Sequence, residues 1–232
     1  MATAKEIRDE VAGIFATNWK TRDGQVVPDS DGVKLGNDAV NLDGTVLYAD
    51  LADSTELVNS YKSHFAAEIY KAYLVTACRI IRARGGIITA FDGDRVMAVF
   101  IGDNKNSSAA RTALEINWAV RSVIGPALKV QYPTTSYDIQ QAVGIDTSSL
   151  FVARTGIRGS NDLVWVGRAA NYAAKLSAFR YGTYRSFITE DVFNKLSDES
   201  KNGGTPRRVM WDKIMWQEMG IAIYGSTFWW EV

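Results

Sequence analysis

The stretch from Thr45 to Val99 constrains the fold of this chain most, because it contains two short acidic strand ends separated by one long helical pattern. Apolar, β-favouring residues run up to Asp50, which predicts that Asp50 lies at the end of a buried strand, just before a helix. The dipeptide Asp92-Gly93 is flanked by two further apolar runs, which is typical of a tight hairpin turn and predicts Asp94 at the start of the returning strand. If the two strands are neighbours, Asp50 and Asp94 converge.

Two converging carboxylates repel each other unless a cation lies between them. Hard oxygen ligands that leave coordination positions open suit Mg²⁺ or Mn²⁺ carrying the phosphates of a substrate. Each aspartate also has a purely structural interpretation, since Asp is favoured both at helix N-caps and in turns. Either motif alone would favour that interpretation, whereas the two together predict a metal site.

Composition and charge exclude several classes of function. Of the 232 residues 47% are apolar, which is ample for a packed interior, and Lys plus Arg equal Asp plus Glu at 26 each, which disfavours nucleic acid as a partner. The single cysteine, Cys78, allows no disulfide within the chain, and the single histidine, His64, excludes a site that needs several. We find no signal core and no apolar run near the ~18 residues of a membrane span, and therefore expect a cytoplasmic protein without a membrane partner.

The first 43 residues are predicted to form an N-terminal extension. Apolar side chains from Ile7 to Trp19 recur at helical spacing, which predicts an amphipathic helix over about Lys5 to Lys20. The Gly-, Asp- and Asn-rich residues 21–44 are expected to be an ordered loop or linker, with the helix packed on the core or on a partner chain. We therefore divide the chain into an extension, residues 1–43, and a catalytic domain, residues 44–232.

Two long helical patterns flank the predicted hairpin. Asp53 and Glu56 have the spacing of a capping box for a helix that runs to Gly85-Gly86 and buries a stripe of apolar and aromatic side chains. The second helix begins within residues 104–108 and is expected to end at Gly125-Pro126.

The C-terminal half is predicted to alternate short strands with helices. A strand over residues 139–145 is expected to pair with residues 151–153, and an apolar strand at 163–166 leads into an alanine-rich helix over residues 167–176. The order strand-helix-strand-strand-helix-strand, with further αβ units appended, predicts an α+β fold with a ferredoxin-like core. Further short strands near residues 187–188, 209–215 and 221–230 are expected to complete the chain.

These motifs resemble the catalytic domain of class III nucleotidyl cyclases. Tyr48-Ala49-Asp50-Leu51 matches the family's aromatic-x-Asp-aliphatic strand end, and Gly93-Asp94 matches its Gly-Asp hairpin. The alanine-rich helix resembles a third motif, Gly-x-x-Val-Asn-x-Ala-Ala-Arg, with Asn171 at the Asn position and Lys175 where the family usually has Arg. Positions four apart lie on the same face of a helix, so both side chains can point into one site.

The resemblance implies a reaction and an assembly. Class III cyclases close the ribose 3′-hydroxyl onto the α-phosphate of a nucleoside triphosphate with release of pyrophosphate, and they bind two divalent ions per site. By resemblance, Asp50 and Asp94 are the metal ligands, with the Leu51 carbonyl as an additional one. Asn171 would orient the ribose, and Lys175, or a different arginine in its place, would stabilise charge on the phosphoryl group. In the family, each site is shared across a two-fold homodimer.

The base pocket departs from the purine-specific members of the family. Adenylate cyclases have Lys and Asp or Thr at the positions of Ala90 and Val164, and the guanine-type pairing is missing as well. The resemblance leaves Tyr48, Asp92 and Val166 near the base, and a small base beside a hydroxyl-bearing aromatic suggests a pyrimidine. The chain therefore looks most like the pyrimidine cyclases of the bacterial antiphage systems called Pycsar. This resemblance implies UTP, or CTP, as substrate and a cyclic nucleotide product that signals to a separate effector protein.

Two other functions stay open at this point. One is an adenylate or guanylate cyclase with an atypical base pocket, which the missing Lys and Asp disfavour. The other is a catalytically degenerate module that binds nucleotide or dimerises, which the two aspartates and Asn171 disfavour but Lys175 does not. A diguanylate cyclase is disfavoured because residues 91–95 lack the Gly-Gly-Asp/Glu-Glu-Phe signature.

Overall fold

The computed structural model describes residues 2–232 and divides the chain into two compact units. The larger unit comprises residues 44–148 and 168–232, and the smaller unit comprises the described residues up to Asp43 together with residues 149–167. Within the described residues, no helix combines the length and the apolar character needed to cross a membrane.

The secondary structure alternates between helices and strands along the chain. The helices are α1 (Ala4–Ala16), α2 (Ser54–Ser60), α3 (Ser63–Ala83), α4 (Lys105–Ala119), α5 (Gly125–Gln131), α6 (Arg168–Ser177), α7 (Glu190–Asn194) and α8 (Asp198–Lys201). The strands are β1 (Lys20–Asp23), β2 (Asp38–Leu51), β3 (Ile87–Asp92), β4 (Arg95–Phe100), β5 (Gln141–Ile157), β6 (Ser160–Val166), β7 (Ser186–Thr189), β8 (Asn202–Gly203), β9 (Arg208–Val209), β10 (Asp212–Trp216) and β11 (Ile221–Ser226). A 3₁₀ turn occupies Ser30–Gly32, and a π-helical turn, Val120–Ile124, joins α4 to α5.

The larger unit is built on a mixed sheet with the strand order β10-β11-β7-β5-β2-β4-β3. The order β5-β2-β4-β3 within it, together with α3 and α4, confirms the α+β fold with a ferredoxin-like core. β2 and β4 pair antiparallel from Thr45 opposite Phe100 to Asp50 opposite Arg95. The register places the end of β2 beside the β3–β4 turn.

The long helical pattern after Asp50 forms two helices rather than one, with a break at Tyr61 and Lys62. The predicted stripe is buried in α3, where Phe65, Ile69 and Tyr73 pack against the sheet core at 6%, 3% and 0% exposure. Burying a large apolar side chain contributes about 1.5–3 kcal/mol, so this stripe fixes the helix on the sheet. The predicted capping box is wrong, because Asp53 adopts a left-handed φ of 58° and its side chain makes no capping hydrogen bond.

The second long helical pattern does not end at Gly125-Pro126, as predicted. The π-helical turn leads directly into α5, and Pro126 lies in the first turn of that helix. The fixed φ of proline suits a helix, and the regular hydrogen-bond ladder is already interrupted here, because the Gly125 N–H donates to the Val120 carbonyl with π-helical spacing. A Gly-Pro pair therefore marks the change of helix type and not the end of the helical segment.

The smaller unit contains two strand pairings that the sequence analysis did not predict. β1 pairs in parallel with the start of β2, from Lys20 opposite Asp38, so residues 21–44 are not only a loop. β5 is one continuous strand, and residues 151–153 pair with β6 instead of folding back on residues 139–145. The predicted pairing is therefore wrong.

The N-terminal helix ends earlier than predicted, at Ala16, and Trp19 lies beyond it with its ring 4.9 Å from the ring of Phe151. α1 begins with a complete capping box between Thr3 and Glu6. All thirteen of its residues are exposed, so the expected packing on a core is not found. Packing of α1 on a partner chain stays a prediction.

Candidate active site

The two predicted metal-binding aspartates lie at adjacent ends of β2 and the β3–β4 hairpin. Asp50 is directly opposite Arg95, the residue that follows Asp94. Asp92 also pairs with Arg95, so the turn consists of Gly93 and Asp94. Gly93 has a φ of 62°, which favours glycine at the first position of a two-residue turn. Asp94 thus lies in the turn itself, one position before β4 begins at Arg95, and not at the start of the strand as predicted.

The carboxylates of Asp50 and Asp94 interact electrostatically. Burial, and after it the charge of Asp94, raise the pKa of Asp50 to about 6, against the opposing effects of Arg95 and Arg180. Arg180 Nη2 lies 3.7 Å from Asp50 Oδ2, and the Asp50 side chain is 17% exposed. Asp50 therefore pays a free-energy penalty when it ionises in this environment.

The aspartate pair fits a cation. Asp94 Oδ2 is buried and has no hydrogen-bond partner among the residues that the structure describes. A buried carboxylate oxygen without a donor is costly unless a cation or a proton neutralises it. Over residues 2–232, no group of three or more His, Cys, Asp or Glu side chains is placed to hold a metal ion. A cation at this pair would therefore need further ligands from the backbone, water or a substrate.

A buried tyrosine lies near the same carboxylates. Burial raises the pKa of Tyr73 well above its ordinary value, and the charges of Asp50 and Asp94 raise it further. The Tyr73 hydroxyl is buried and, within residues 2–232, makes no hydrogen bond. The helical spacing predicts core packing for Tyr73, which its burial confirms, and its hydroxyl also belongs to the surroundings of the aspartates.

The residues predicted to surround the base occupy one face of the sheet. Tyr48 is opposite Met97, which is also opposite Ala90, so the three form a row across β2, β4 and β3. Residues two apart on a strand share a face, so Asp50, Arg95 and Asp92 continue this surface one step further on. The register brings the predicted residues of these three strands together.

Arg95 links the predicted base-binding residues to each other, and the sequence analysis missed it. Its guanidinium carbon lies 5.3 Å from the centroid of the Tyr48 ring, and its Nη2 donates to Asp92 Oδ2 at 2.7 Å. Burial raises the pKa of Tyr48, so its hydroxyl stays protonated and can donate. Arg95 directly follows Asp94, and its position at the start of a predicted strand was the only signal available.

The third motif forms the exposed face of α6. Asn171 and Lys175 are both exposed, and Lys175 Nζ lies 3.2 Å from Glu218 Oε1. The helix starts from a buried anchor, because Arg168 Nε donates to Asp146 Oδ2 at 3.0 Å and Asp146 is 0% exposed. Asn171 and Lys175 are four residues apart and therefore share one exposed face of α6.

A cavity of about 570 Å³ adjoins Asp50 and is lined by Leu51, the start of α2 and Arg180. Leu51 is 1% exposed, so its side chain is part of the core. Neither Asn171 nor Lys175 lines this cavity. Arg180 follows the C-terminal end of α6, five residues after Lys175. This short spacing was the sequence signal that Arg180 could replace Lys175 as the basic residue near the phosphates.

The remaining predicted residues, Val164 and Val166, lie on β6 of the smaller unit. They are 38% and 56% exposed and alternate with the buried Trp165. Within that unit, they form an exposed apolar pair on one face of the strand.

Several solved structures of nucleotide cyclases have the same fold as this chain. A bacterial light-regulated adenylyl cyclase superposes with a TM-score of 0.65 at 20% identity, over 80% of this chain and 90% of that chain. The adenylyl cyclase CyaB from P. aeruginosa gives 0.63 at 21% identity, over 81% and 95%. The guanylate cyclase domain of RhGC from Catenaria anguillulae, solved with GTP, gives 0.63 at 13%, over 82% and 99%. These likenesses define the fold as that of class III cyclases.

Sequence relatives narrow the class to one family. A uridylate cyclase of Xanthomonas perforans is 51% identical over 94% of both chains, and one of Burkholderia cepacia is 49% identical over the whole of both. A third, from Rhodovulum sp. (strain MB263), is 39% identical over 99% of this chain and 98% of its own. No family model matches the chain. The chain belongs to the uridylate cyclase family and is a nucleotidyl cyclase.

Proposed function

We propose that this protein converts UTP to 3′,5′-cyclic UMP and pyrophosphate. The observation that carries the proposal is the pair of converging carboxylates, Asp50 and Asp94, in which Asp94 Oδ2 is buried without a partner. Full-length relatives named uridylate cyclase support the choice of UTP. CTP is the second pyrimidine substrate to be tested. The proposed catalytic domain is residues 44–232.

Asp50 and Asp94 would hold divalent cations, Mg²⁺ or Mn²⁺, with the Leu51 carbonyl as a further ligand. Bound there, two such ions would lower the pKa of the ribose 3′-hydroxyl and neutralise charge on the triphosphate. Asp50 must be ionised to bind a cation, so a proton, which the metal-free carboxyl holds up to about pH 6, would compete with the cation at this position. Arg180 lines the same cavity as Asp50 and would place a fixed positive charge beside the phosphates.

We infer that each active site is shared between two copies of the chain. Asn171 and Lys175 lie on an exposed helix face and do not line the cavity at Asp50. In a two-fold homodimer, α6 of one copy would supply Asn171 to orient the ribose and Lys175 to bind phosphate, and the other copy would supply the aspartates. Lys175 would have to break its ion pair with Glu218. That pair is exposed and contributes little to stability.

Base selection is assigned to Tyr48, Ala90 and Asp92, together with Arg95. The phenol and the guanidinium offer hydrogen-bond donors, and the small Ala90 side chain provides no polar group for a purine. Val164 and Val166 would add apolar contacts. A ring with two carbonyl acceptors suits donors of this kind, which favours uracil over cytosine.

The product would act in the cytoplasm as a second messenger of an antiphage system and bind a separate effector protein. The resemblance to Pycsar cyclases supports this role, and the sequence relatives are named only for their activity.

Incubation of the purified protein with each of the four NTPs and Mn²⁺, followed by mass identification of products, tests the proposal. We expect cyclic UMP, with lesser or no cyclic CMP. Cyclic AMP or cyclic GMP as the main product would overturn the pyrimidine assignment in favour of a purine cyclase. UTP binding without turnover of any NTP would identify a degenerate nucleotide-binding module instead.

A further inference from the structure

A second cavity in the larger unit lies outside the residues assigned to catalysis. Its volume is about 560 Å³, within the range of small-molecule sites. Its walls come from the π-helical turn Val120–Ile124, the start of α5, the segment that enters β5 and the residues before β7. None of the residues that line it also lines the cavity at Asp50. π-Helical turns occur frequently at functional sites, so this wall is a place where binding is expected.

The walls of this second cavity carry excess positive charge. Arg121, Lys129 and Arg185 line it, against one carboxylate, Asp138. In the described part of the chain, none of the three cations forms an ion pair. Burial lowers the pKa of Arg185 and so does the charge of Arg180, while the carboxylates of Asp138 and Asp53 oppose this shift and Arg121 adds a smaller lowering effect. The net result is repulsion between the positive charges. An anion in the cavity would relieve this repulsion.

The basic side chains of this cavity have N–H groups that are available to a ligand. Lys129 Nζ donates to the carbonyls of Thr135 and Tyr137 at 3.1 and 2.8 Å, which leaves one of its three N–H groups. Arg121 is exposed, and its guanidinium carbon lies 6.0 Å from the Trp229 ring centroid. Charge-assisted hydrogen bonds of this kind suit phosphate oxygens.

A buried amide in the same wall needs a donor. Gln141 is 2% exposed, and its Oε1 has no hydrogen-bond partner among the described residues. Its Nε2 donates to the Arg185 carbonyl at 3.5 Å. A buried acceptor without a donor is unfavourable, and a ligand N–H or hydroxyl would satisfy it. The cavity thus combines cations for a phosphate with an acceptor for a second polar group.

Two hydrogen bonds connect this wall to the catalytic strand. Arg185 Nη2 donates to Gln140 Oε1 at 2.7 Å. The Gln140 carbonyl accepts from the backbone N–H of Ala52 at 2.9 Å, two residues after Asp50. A ligand that binds Arg185 can therefore shift Gln140, whose carbonyl holds the end of β2 in place.

We propose that this cavity binds a small phosphorylated ligand of up to nucleotide size, and that Arg185 and Gln140 couple its occupancy to the strand end that carries Asp50. The site is separate from the one that would cyclise UTP. Its existence does not depend on which nucleotide is the substrate.

Calorimetric titration with two probes, inorganic pyrophosphate and UMP, tests binding. EDTA in the buffer removes divalent ions and so weakens any binding at the aspartates. The titrations compare the native protein, Asp94→Ala, Arg121→Glu, and Arg158→Ala, a matched removal of an exposed arginine in the β5–β6 turn. We expect at least one probe to bind the native, Asp94→Ala and Arg158→Ala proteins equally, and to bind Arg121→Glu at least ~10-fold more weakly. The binding of that probe to the native protein should also become weaker at higher salt.

Three results would overturn the binding proposal: no heat with either probe at millimolar concentration, binding that Asp94→Ala abolishes, or binding that Arg121→Glu leaves unchanged. Arg121 is exposed, so its substitution should leave the melting temperature near that of the native protein. A comparison of the two probes identifies the ligand as an inorganic phosphoanion or a nucleotide. None of these readouts uses turnover, so failure of the cyclase assay and failure of this proposal are distinguishable.

Hydrogen exchange tests the coupling. The probe that binds should change the exchange rate of the Ala52 amide in the native protein and leave it unchanged in Arg121→Glu. Binding at the cavity with no change at Ala52 would disprove the connection to the catalytic strand.

Discussion

At the scale of single residues, the types and spacing of the key side chains were predictable from the sequence, whereas their partners were not. Asp50 and Asp94 could be paired because strand and turn patterns are local. Arg180 and Arg95 could not be placed, because their contacts with Asp50 and Tyr48 depend on tertiary packing. The electrostatic properties of the candidate site follow from those contacts.

The raised pKa of Asp50 predicts an unusual dependence of stability on pH. The folded protein holds this proton more tightly than an unfolded chain, so the contribution of the carboxyl is fully present below about pH 4 and is lost as pH rises through about 6. In EDTA at pH 7.5, Asp50→Asn should therefore stabilise the protein by about 1–2 kcal/mol, discounted for partial exposure, which raises Tm by about 2–6 °C.

At pH 4.5 the stabilisation by Asp50→Asn should fall to about a third of its value at pH 7.5, because only part of the ionisation penalty has developed between the unfolded pKa near 4 and the folded pKa of about 6. Asp103→Asn, which removes an exposed carboxylate, is the control and should change little at either pH. Added Mn²⁺ should raise the Tm of the native protein but not that of Asp50→Asn. Destabilisation by Asp50→Asn at both pH values would contradict the assignment.

The Tyr48 hydroxyl is predicted to be a partner of the base. Tyr48→Phe removes only this group, and loss of a buried hydrogen bond should lower kcat/KM for UTP by about 1–3 kcal/mol, or roughly 5- to 150-fold. Tyr224→Phe, a hydroxyl removed elsewhere in the larger unit, should leave kcat/KM unchanged. If the two variants behave alike, Tyr48 serves only in packing.

At the scale of elements, the sequence predicted which segments are helical but misplaced where they end. The continuation of α4 through Pro126 was missed because a proline in a first helical turn has no local signature that separates it from a stop. β5 was predicted as two separate strands because the polar run from Asp146 to Ser149 resembles a turn. Its polar groups are satisfied only in the fold, for example Asp146 by Arg168 and Thr147 by Thr45.

The anchor of α6 gives a prediction at this scale. Asp146 accepts hydrogen bonds from Arg168 and from Thr189 Oγ1, and Asp191 binds the same arginine from the surface. Asp146→Ala would leave the buried Thr189 hydroxyl unpaired and should cost about 1–3 kcal/mol of stability. Denaturant unfolding should detect this loss, together with a lower kcat, because α6 carries Asn171.

Asp191→Ala is the matched control, because it removes the exposed partner of the same guanidinium and should cost no more than about 1 kcal/mol. Equal losses in the two variants would contradict the assignment of the buried carboxylate as the anchor.

At the scale of the whole molecule, one chain does not bring all the predicted catalytic residues into a common cavity. The aspartates lie at the end of β2 and in the adjacent β3–β4 turn, and Asn171 and Lys175 lie on the exposed face of α6. The sequence motifs predicted each group but gave no information on whether they meet within one chain. A shared site in a two-fold dimer accounts for this separation.

Complementation between inactive variants tests the shared site. Asp50→Ala and Asn171→Ala should each abolish or nearly abolish cyclic UMP formation as homodimers, because each removes one half of both sites. In a heterodimer, one of the two sites keeps both its aspartates and its Asn171, so co-expression with two different affinity tags and tandem purification should recover up to half of the native activity per dimer. The pair Asp50→Ala with Asp94→Ala is the control, because both changes fall on the same half and each site of that heterodimer stays defective. Heterodimers of the first pair that remain as inactive as the second would place each complete site within a single chain.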